Sequence, residues 1–152
     1  MMRVVWKHKM MLIFTLLIAA GAASSLSADN TCSAQTLNGA YTYTLRGGYI
    51  GDQYGDVFDF AAAGRFVADG NGTFSGTETT SQGESISKAA PYTGTYTVND
   101  DCTGTMIFKN SQGNVIANMD IVITNNAKEI EMIETDSGTN ISGRAQQQFP
   151  VQ

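Results

Sequence analysis

The sequence has little of what most catalytic and metal-binding sites need. It contains one histidine (His8), one tryptophan (Trp6) and two cysteines (Cys32 and Cys102) among 152 residues. His8 and Trp6 both lie in an N-terminal segment that has the features of a cleaved signal. Without that segment, a histidine-dependent nucleophilic triad and a zinc site are excluded. We therefore expect neither a metal nor a cofactor.

The first residues have the pattern of a secretory signal peptide. Met1–Lys9 carries Arg3, Lys7 and Lys9, and the apolar run Met10–Ala23 and then small residues follow it. Cleavage after Ser27 is predicted, with Ala28 as the neighbouring alternative. The apolar run is short for a membrane span and no second one follows. The sequence predicts a signal peptide over residues 1–27, one domain over 28–152, and a secreted or periplasmic protein without a membrane anchor.

Basic residues are also scarce. The chain has 9 Lys and Arg against 14 Asp and Glu. Removal of the signal takes three of the basic residues and none of the acidic ones, which leaves a formal charge of −8. A negative charge of this size argues against nucleic acid or an anionic membrane surface as a partner.

The two cysteines predict one disulfide. In an oxidising compartment Cys32 and Cys102 pair by default, and they close a loop of about 70 residues. The alternative, a redox or metal-binding pair, lacks CxxC spacing and a histidine.

Helical spacing is absent after Cys32, and apolar and polar residues alternate instead. Turn residues bound the alternating runs, most clearly Asp69-Gly70-Asn71-Gly72, which is a tight hairpin signal. The predicted strands are Ala40–Arg46, Val57–Ala68, Thr73–Thr80, Tyr92–Asn99, Thr103–Lys109, Val115–Thr124, Glu129–Thr135 and Asn140–Gln147. Eight sequential strands, each with one apolar face, predict an all-β, antiparallel up-and-down barrel. A β-sandwich is the alternative.

The apolar faces define the predicted interior. They carry aromatic, aliphatic and glycine residues, among them Tyr41, Phe66, Phe74, Tyr96, Phe108, Val115 and Ile121. The longer loops Gly47–Asp56 and Ser81–Pro91 fall at one end, which predicts an open mouth there and a pinched, disulfide-bearing end opposite. A ligand in that mouth is expected to contact the inner-face residues Tyr43, Phe58, Phe60, Tyr92, Met119 and Met132.

Two carboxylates interrupt the apolar pattern. Glu78 and Glu134 continue the inner faces of the third and seventh strands toward the mouth, where Tyr92 begins the fourth. A carboxyl group against an apolar wall has a raised pKa and can give or take a proton, so these three are the candidate catalytic residues. The alternative is that both acids are solvated rim residues. A calcium loop beginning at Asp69 is not supported, because Phe74 occupies the position that needs Gly.

Several motifs resemble a family of small secreted bacterial proteins with the allene oxide cyclase-like, dirigent-related β-barrel. They are Leu37-Asn38-Gly39-x-Tyr41, Asp69-Gly70-Asn71-Gly72-x-Phe74-Ser75-Gly76, Gly94-Thr95-Tyr96-Thr97-Val98-Asn99-x-Asp101-Cys102-Thr103-Gly104-Thr105 and Ile133-Glu134-Thr135-Asp136-x-Gly138-Thr139 with Ser142-Gly143. The resemblance covers nearly all of residues 28–152 and concerns turn and strand glycines. It implies a barrel that binds small apolar molecules and, in characterised relatives, guides cyclisation without a cofactor. No catalytic residue of those relatives is matched position by position.

These observations lead to three hypotheses. The first is an exported barrel that binds a small apolar or aromatic molecule in its mouth. The second is a cofactor-free cyclase or isomerase that uses Glu78, Glu134 and Tyr92. The third is a structural or cell-surface interaction protein with a filled interior.

Overall fold

The eight predicted strands form a closed antiparallel barrel. The structure, a computed structural model, describes residues 31–50 and 56–149; the predicted signal peptide lies outside them. The strands are β1 (Asn38–Ile50), β2 (Val57–Asp69), β3 (Thr73–Gln82), β4 (Ser85–Val98), β5 (Thr103–Asn110), β6 (Val115–Thr124), β7 (Glu129–Glu134) and β8 (Thr139–Gln147). Each strand pairs with the next and β1 also pairs with β8. This closure confirms the barrel and excludes the sandwich.

Most strand limits agree with the prediction to within two residues, but two strands near the mouth do not. The predicted loop Ser81–Pro91 is wrong, since β3 runs to Gln82 and β4 begins at Ser85. Residues 81–89 are exposed on both faces, so this ribbon has no apolar side and none of the alternation that marks a half-buried strand. Likewise, Gly47–Ile50 belongs to β1 and not to a loop.

The barrel interior is filled over most of its length by the predicted inner-face residues. Tyr41, Phe66, Met106, Ile130 and Ile141 are fully buried. Two predicted members are wrong, because Phe58 is 47% exposed and Val115 is 52% exposed. Both stand at the mouth-end starts of β2 and β6, beyond the part of each strand that faces the core. Leu37 and Ala68 are buried as well and extend the predicted set.

Glycines inside the strands allow the large rings to pack. A side chain at Gly94 would overlap the ring of Phe74 on the adjacent strand, and one at Gly143 would overlap the backbone of Thr44. The predicted close approach at these mid-strand glycines is therefore present.

The predicted disulfide between Cys32 and Cys102 is present, with their Cα atoms 5.0 Å apart. Cys102 lies in the turn between β4 and β5, and the segment from Cys32 to Leu37, which includes a 3-10 turn over Ala34–Thr36, covers this end of the barrel. The Tyr96 hydroxyl holds that segment by contacts with the carbonyl oxygens of Ala34 (2.9 Å) and Leu37 (2.8 Å). We call this end, formed by Cys32–Leu37, Tyr96 and Cys102, the closed end.

No described residue belongs to a helix long and apolar enough to cross a membrane.

Candidate ligand-binding site at the barrel mouth

The middle of the barrel is occupied by aromatic rings and leaves no room for a ligand. The Phe74 and Phe108 centroids are 4.9 Å apart, those of Tyr41 and Phe66 are 5.2 Å apart, and those of Tyr92 and Phe108 are 5.3 Å apart. These rings are all at least 97% buried. The layer that they form separates the closed end from the opposite end, which we call the mouth.

At the mouth the interior opens into a cavity of about 190 Å³. Six strands contribute to its lining, because β1, β3, β5 and β7 end here and β2 and β6 begin here. The lining residues are Leu45, Tyr49, Phe60, Glu78, Thr80, Gln82, Phe108, Ile116, Ala117, Met119 and Glu134. Seven of these eleven residues are apolar or aromatic, and the other four are Glu78, Thr80, Gln82 and Glu134.

Glu78 enters the cavity because it continues the inward face of β3. It shares the phase of Phe74 and Gly76, and a β-bulge follows between Glu78 and Thr80, where Ala89 of β4 takes a φ of 49°. The Tyr43 hydroxyl donates a hydrogen bond to Glu78 Oε2 over 2.8 Å. Burial raises the pKa of Glu78, and this hydrogen bond partly opposes the rise.

Glu134 reaches the same cavity from β7, where its Cα pairs with that of Met119 on β6. Desolvation, and then the charge of Asp136, raise the pKa of Glu134 to about 7. Asp136 is held beside it by hydrogen bonds from the backbone N–H and the side-chain amide of Asn118, at 2.8 and 2.6 Å. A carboxyl group with this pKa gains and loses its proton near neutral pH.

Tyr49 forms part of the wall and is not among the predicted site residues. Its ring packs edge-on against Phe60 with a centroid distance of 5.5 Å. Desolvation first, and then the charges of Glu134, Glu78 and Asp136, raise its pKa. The alternation of Tyr41, Tyr43 and Leu45 does continue to Tyr49, but the predicted strand ends at Arg46, before the two glycines Gly47 and Gly48. A side chain at Gly47 would overlap the backbone of Asn140 on β8, so packing between strands explains that glycine.

The predicted site residues fall into three groups. Glu78, Glu134, Phe60 and Met119 line the cavity, and Tyr43 contacts it through Glu78. Tyr92 and Met132 are buried in the filled part of the barrel, each 3% exposed, and do not line the cavity.

Phe58, the last predicted contact, lies at the rim with nearly half of its surface in water. Tyr92 was expected at the mouth but its ring belongs to the aromatic layer, and its hydroxyl is 3.4 Å from the carbonyl oxygen of Arg65. The structure thus brings both predicted acids together and leaves the predicted tyrosine below them.

Larger hollows lie elsewhere on the molecule. One of about 480 Å³ surrounds the disulfide and the turn at Asn125–Ala127, and one of about 440 Å³ lies over Arg46 and Asp59 between β1, β2 and β3. We regard the mouth as the better candidate site, because it is the one lined by inward-facing side chains and by two carboxyl groups whose pKa values are raised.

Residues 31–50 and 56–149 contain no group of three or more His, Cys, Asp or Glu arranged to hold a metal ion. No protein-family model, curated protein or solved structure matches the chain.

Proposed function

We propose that the protein binds a small apolar or aromatic molecule in the mouth of its barrel. The observation that carries this proposal is the cavity of about 190 Å³ between inward-facing apolar side chains and two carboxyl groups. Small-molecule sites combine apolar walls with a few fixed polar groups in this way. An apolar cavity of about 150 Å³ is sufficient for benzene, so a single ring or a short chain suits the space.

The rim supports entry of such a molecule. Four exposed apolar side chains stand at the mouth ends of β1–β2 and of the β3–β4 ribbon: Ile50, Val57, Phe58 and Ile86, which are 47–68% exposed. Isolated exposed apolar residues are ordinary, but these four all stand at the mouth end of the barrel. Thr80 and Gln82 add neutral hydrogen-bonding groups to the lining, which favours a ligand with at least one polar atom.

The proposed setting is outside the cytoplasm, either secreted or periplasmic. A disulfide between Cys32 and Cys102 supports it, since such bonds persist in oxidising compartments. The predicted signal peptide and the acidic composition agree with an exported protein whose partner is a small molecule and not nucleic acid. The resemblance to the allene oxide cyclase-like barrel remains a prediction and points to the same ligand class.

Replacement of either of two alanines by leucine, one in the mouth and one outside it, tests the proposal. Ala117 lines the mouth, whereas Ala63 is exposed on the outer face of β2. Ala117→Leu should fill part of the cavity and weaken binding of a single-ring probe such as benzyl alcohol by about tenfold or more, while Ala63→Leu should leave binding unchanged. NMR titration of the oxidised protein, followed at the Ala117 and Met119 amides, measures both. Equal affinities in the two variants contradict a mouth site and favour the structural hypothesis.

A second candidate, a cofactor-free cyclase or isomerase, is favoured by one observation. Glu134 has a pKa of about 7 and shares the cavity with the Tyr43–Glu78 hydrogen-bonded pair, so a proton donor and an acceptor face the same space. In that case Glu134→Gln should abolish turnover and spare binding of the substrate. Unchanged turnover in this variant would remove Glu134 from the mechanism.

A further inference from the structure

We infer that the mouth selects ligands with a positive charge, so that its occupant is an aromatic or short-chain amine in its protonated form. This inference depends on the proposed function and specifies the class of ligand for the same cavity. It requires that, on the same carbon skeleton, a ligand with an ammonium group bind more tightly than one with a hydroxyl group or a carboxylate.

Within the part of the chain that the structure describes, the lining of the cavity carries acidic groups and no basic ones. Glu78 and Glu134 are its two ionisable carboxyl groups, and none of the described lining residues is Lys, Arg or His. Asp136 adds a third carboxylate beside Glu134. An anionic ligand would therefore meet repulsion without a compensating cation, whereas an ammonium group would supply the missing counter-charge.

The two carboxyl groups in the cavity can accept further hydrogen bonds. Tyr43 occupies Oε2 of Glu78 and thereby orients that carboxyl group. Within the described part of the chain no hydrogen bond is formed to Glu78 Oε1 or to either carboxyl oxygen of Glu134, although both groups are partly buried. Three acceptor atoms are thus available to an ammonium group, which has only donors to offer. Tyr49, Phe60 and Phe108 add aromatic rings, which attract cations at their faces.

Binding of a positively charged ligand should depend on whether the carboxyl groups of the cavity are protonated. Burial raises the pKa values of both acids, that of Glu134 to about 7, so below pH 7 Glu134 holds a proton that a bound ammonium group must displace. The titratable groups near Glu134 are Asp136 and Tyr49, and those near Glu78 are Tyr43, Tyr92 and Tyr49. Glu134, with a pKa of about 7, changes charge near neutral pH. Affinity for an amine should consequently rise with pH across the region of pH 7, and affinity for a neutral ligand should not.

The experiment compares benzylamine, benzyl alcohol and benzoate, which share one ring and differ in charge. Benzylamine stays protonated between about pH 5.5 and pH 8. At pH 8 we expect it to bind about tenfold more tightly than benzyl alcohol, since charge-assisted hydrogen bonds exceed neutral ones by roughly 1 to 1.5 kcal/mol, which is five- to tenfold. At pH 5.5 the preference should be clearly smaller, because Glu134 is then mostly protonated. Benzoate should bind most weakly at both pH values.

Matched variants separate the cavity from the general negative charge of the protein. In Glu134→Gln, and more completely in Glu78→Gln/Glu134→Gln, the preference for benzylamine and its pH dependence should be lost while benzyl alcohol still binds. Glu131→Gln removes the same charge from β7, but on the outer face where Glu131 pairs with Arg144. This control should retain the full preference.

The outcomes distinguish the inference from the proposed function. If benzyl alcohol binds as tightly as benzylamine at pH 8, the charge selection is wrong. If Ala117→Leu also weakens the binding of both probes, the mouth site itself is retained. A preference that survives the double variant also overturns the charge selection. If none of the three probes produces saturable shifts at the mouth amides up to millimolar concentration, both the inference and the proposed function fail.

Discussion

The two ends of the barrel differ in how their side chains are paired and buried. The closed end combines a disulfide, a fully buried Leu37 and a Tyr96 hydroxyl held by two backbone carbonyl groups. The mouth combines two partly buried carboxyl groups, a β-bulge and an exposed two-stranded ribbon. Burial of an acid without a counter-ion costs stability. The fold thus concentrates stabilising contacts at one end and tolerates unfavourable ones at the other, a division that is common where a protein carries a functional site.

The aromatic layer keeps the two ends independent. Phe74, Tyr92 and Phe108 fill the barrel between them, so neither water nor a ligand of the mouth can reach the closed end through the interior. Changes at the closed end are therefore expected to affect stability without affecting binding, whereas changes at the mouth are expected to affect binding and its pH dependence together with smaller effects on stability.

Loss of the disulfide should have the largest effect and tests the closed end directly. The bond joins residues 70 positions apart, for which the chain-entropy relation gives a stabilisation of about 4 kcal/mol. The double variant Cys32→Ser/Cys102→Ser should lower the free energy of unfolding by about this amount, measured by urea denaturation. Its folded fraction should still bind the mouth probe with the affinity of the parent. A parallel loss of intrinsic affinity would contradict the independence of the two ends.

Two Tyr→Phe substitutions sharpen the comparison at a smaller scale. Tyr96→Phe leaves the carbonyl groups of Ala34 and Leu37 without their donor in a buried setting, and should cost about 1–3 kcal/mol of stability. Tyr43→Phe removes the donor to Glu78 but leaves a carboxyl group that faces the cavity, so it should cost about 1 kcal/mol or less and raise the pKa of Glu78 further.

Denaturation curves and NMR titration of the Glu78 carboxyl carbon measure the two effects. The reverse order of stabilities, with Tyr43→Phe the more damaging change, would show that the mouth and not the closed end holds the barrel together.

The barrel was predictable from the sequence because most of each strand has one buried face. The period-two pattern located β6 at Val115–Thr124, the same limits that the structure has. It failed for Ser81–Pro91, where both faces of the ribbon meet water and the physical cause of alternation is missing. The same reasoning placed Glu78 and Glu134 at the mouth, because strand phase and direction suffice to locate an inner-face residue near a strand end.

Other features of the site depend on distances that no pattern encodes. The hydrogen bond from Tyr43 to Glu78 joins neighbouring inner-face positions of β1 and β3 across β2. That contact requires the glycine at position 64, since a side chain there would overlap the Tyr43 ring. Tyr92 shows the opposite case. Its position at the start of the predicted fourth strand suggested the mouth, but β4 begins seven residues earlier, and Tyr92 consequently lies deeper, among the rings of the aromatic layer.

The smallest effect is expected for Glu134, and it tests whether burial of this acid lowers the free energy of unfolding. Its pKa is about 7 in the folded protein against an ordinary value of 4.5, so the unfolded chain releases this proton first as the pH rises. Between pH 4.5 and 7 the folded state holds more protons, and stability should fall with increasing pH and then level off. Glu134 keeps part of its surface in water, so screening reduces the effect to about 1 kcal/mol.

Glu134→Gln should therefore be more stable than the parent by about this amount at pH 8 and equal to it near pH 4.5, in urea denaturation at both pH values. Glu131→Gln, on the outer face of the same strand, should show no such gain at pH 8. A Glu134→Gln variant no more stable than the parent at pH 8 would mean that the acid is well solvated and that the two ends do not differ in this respect.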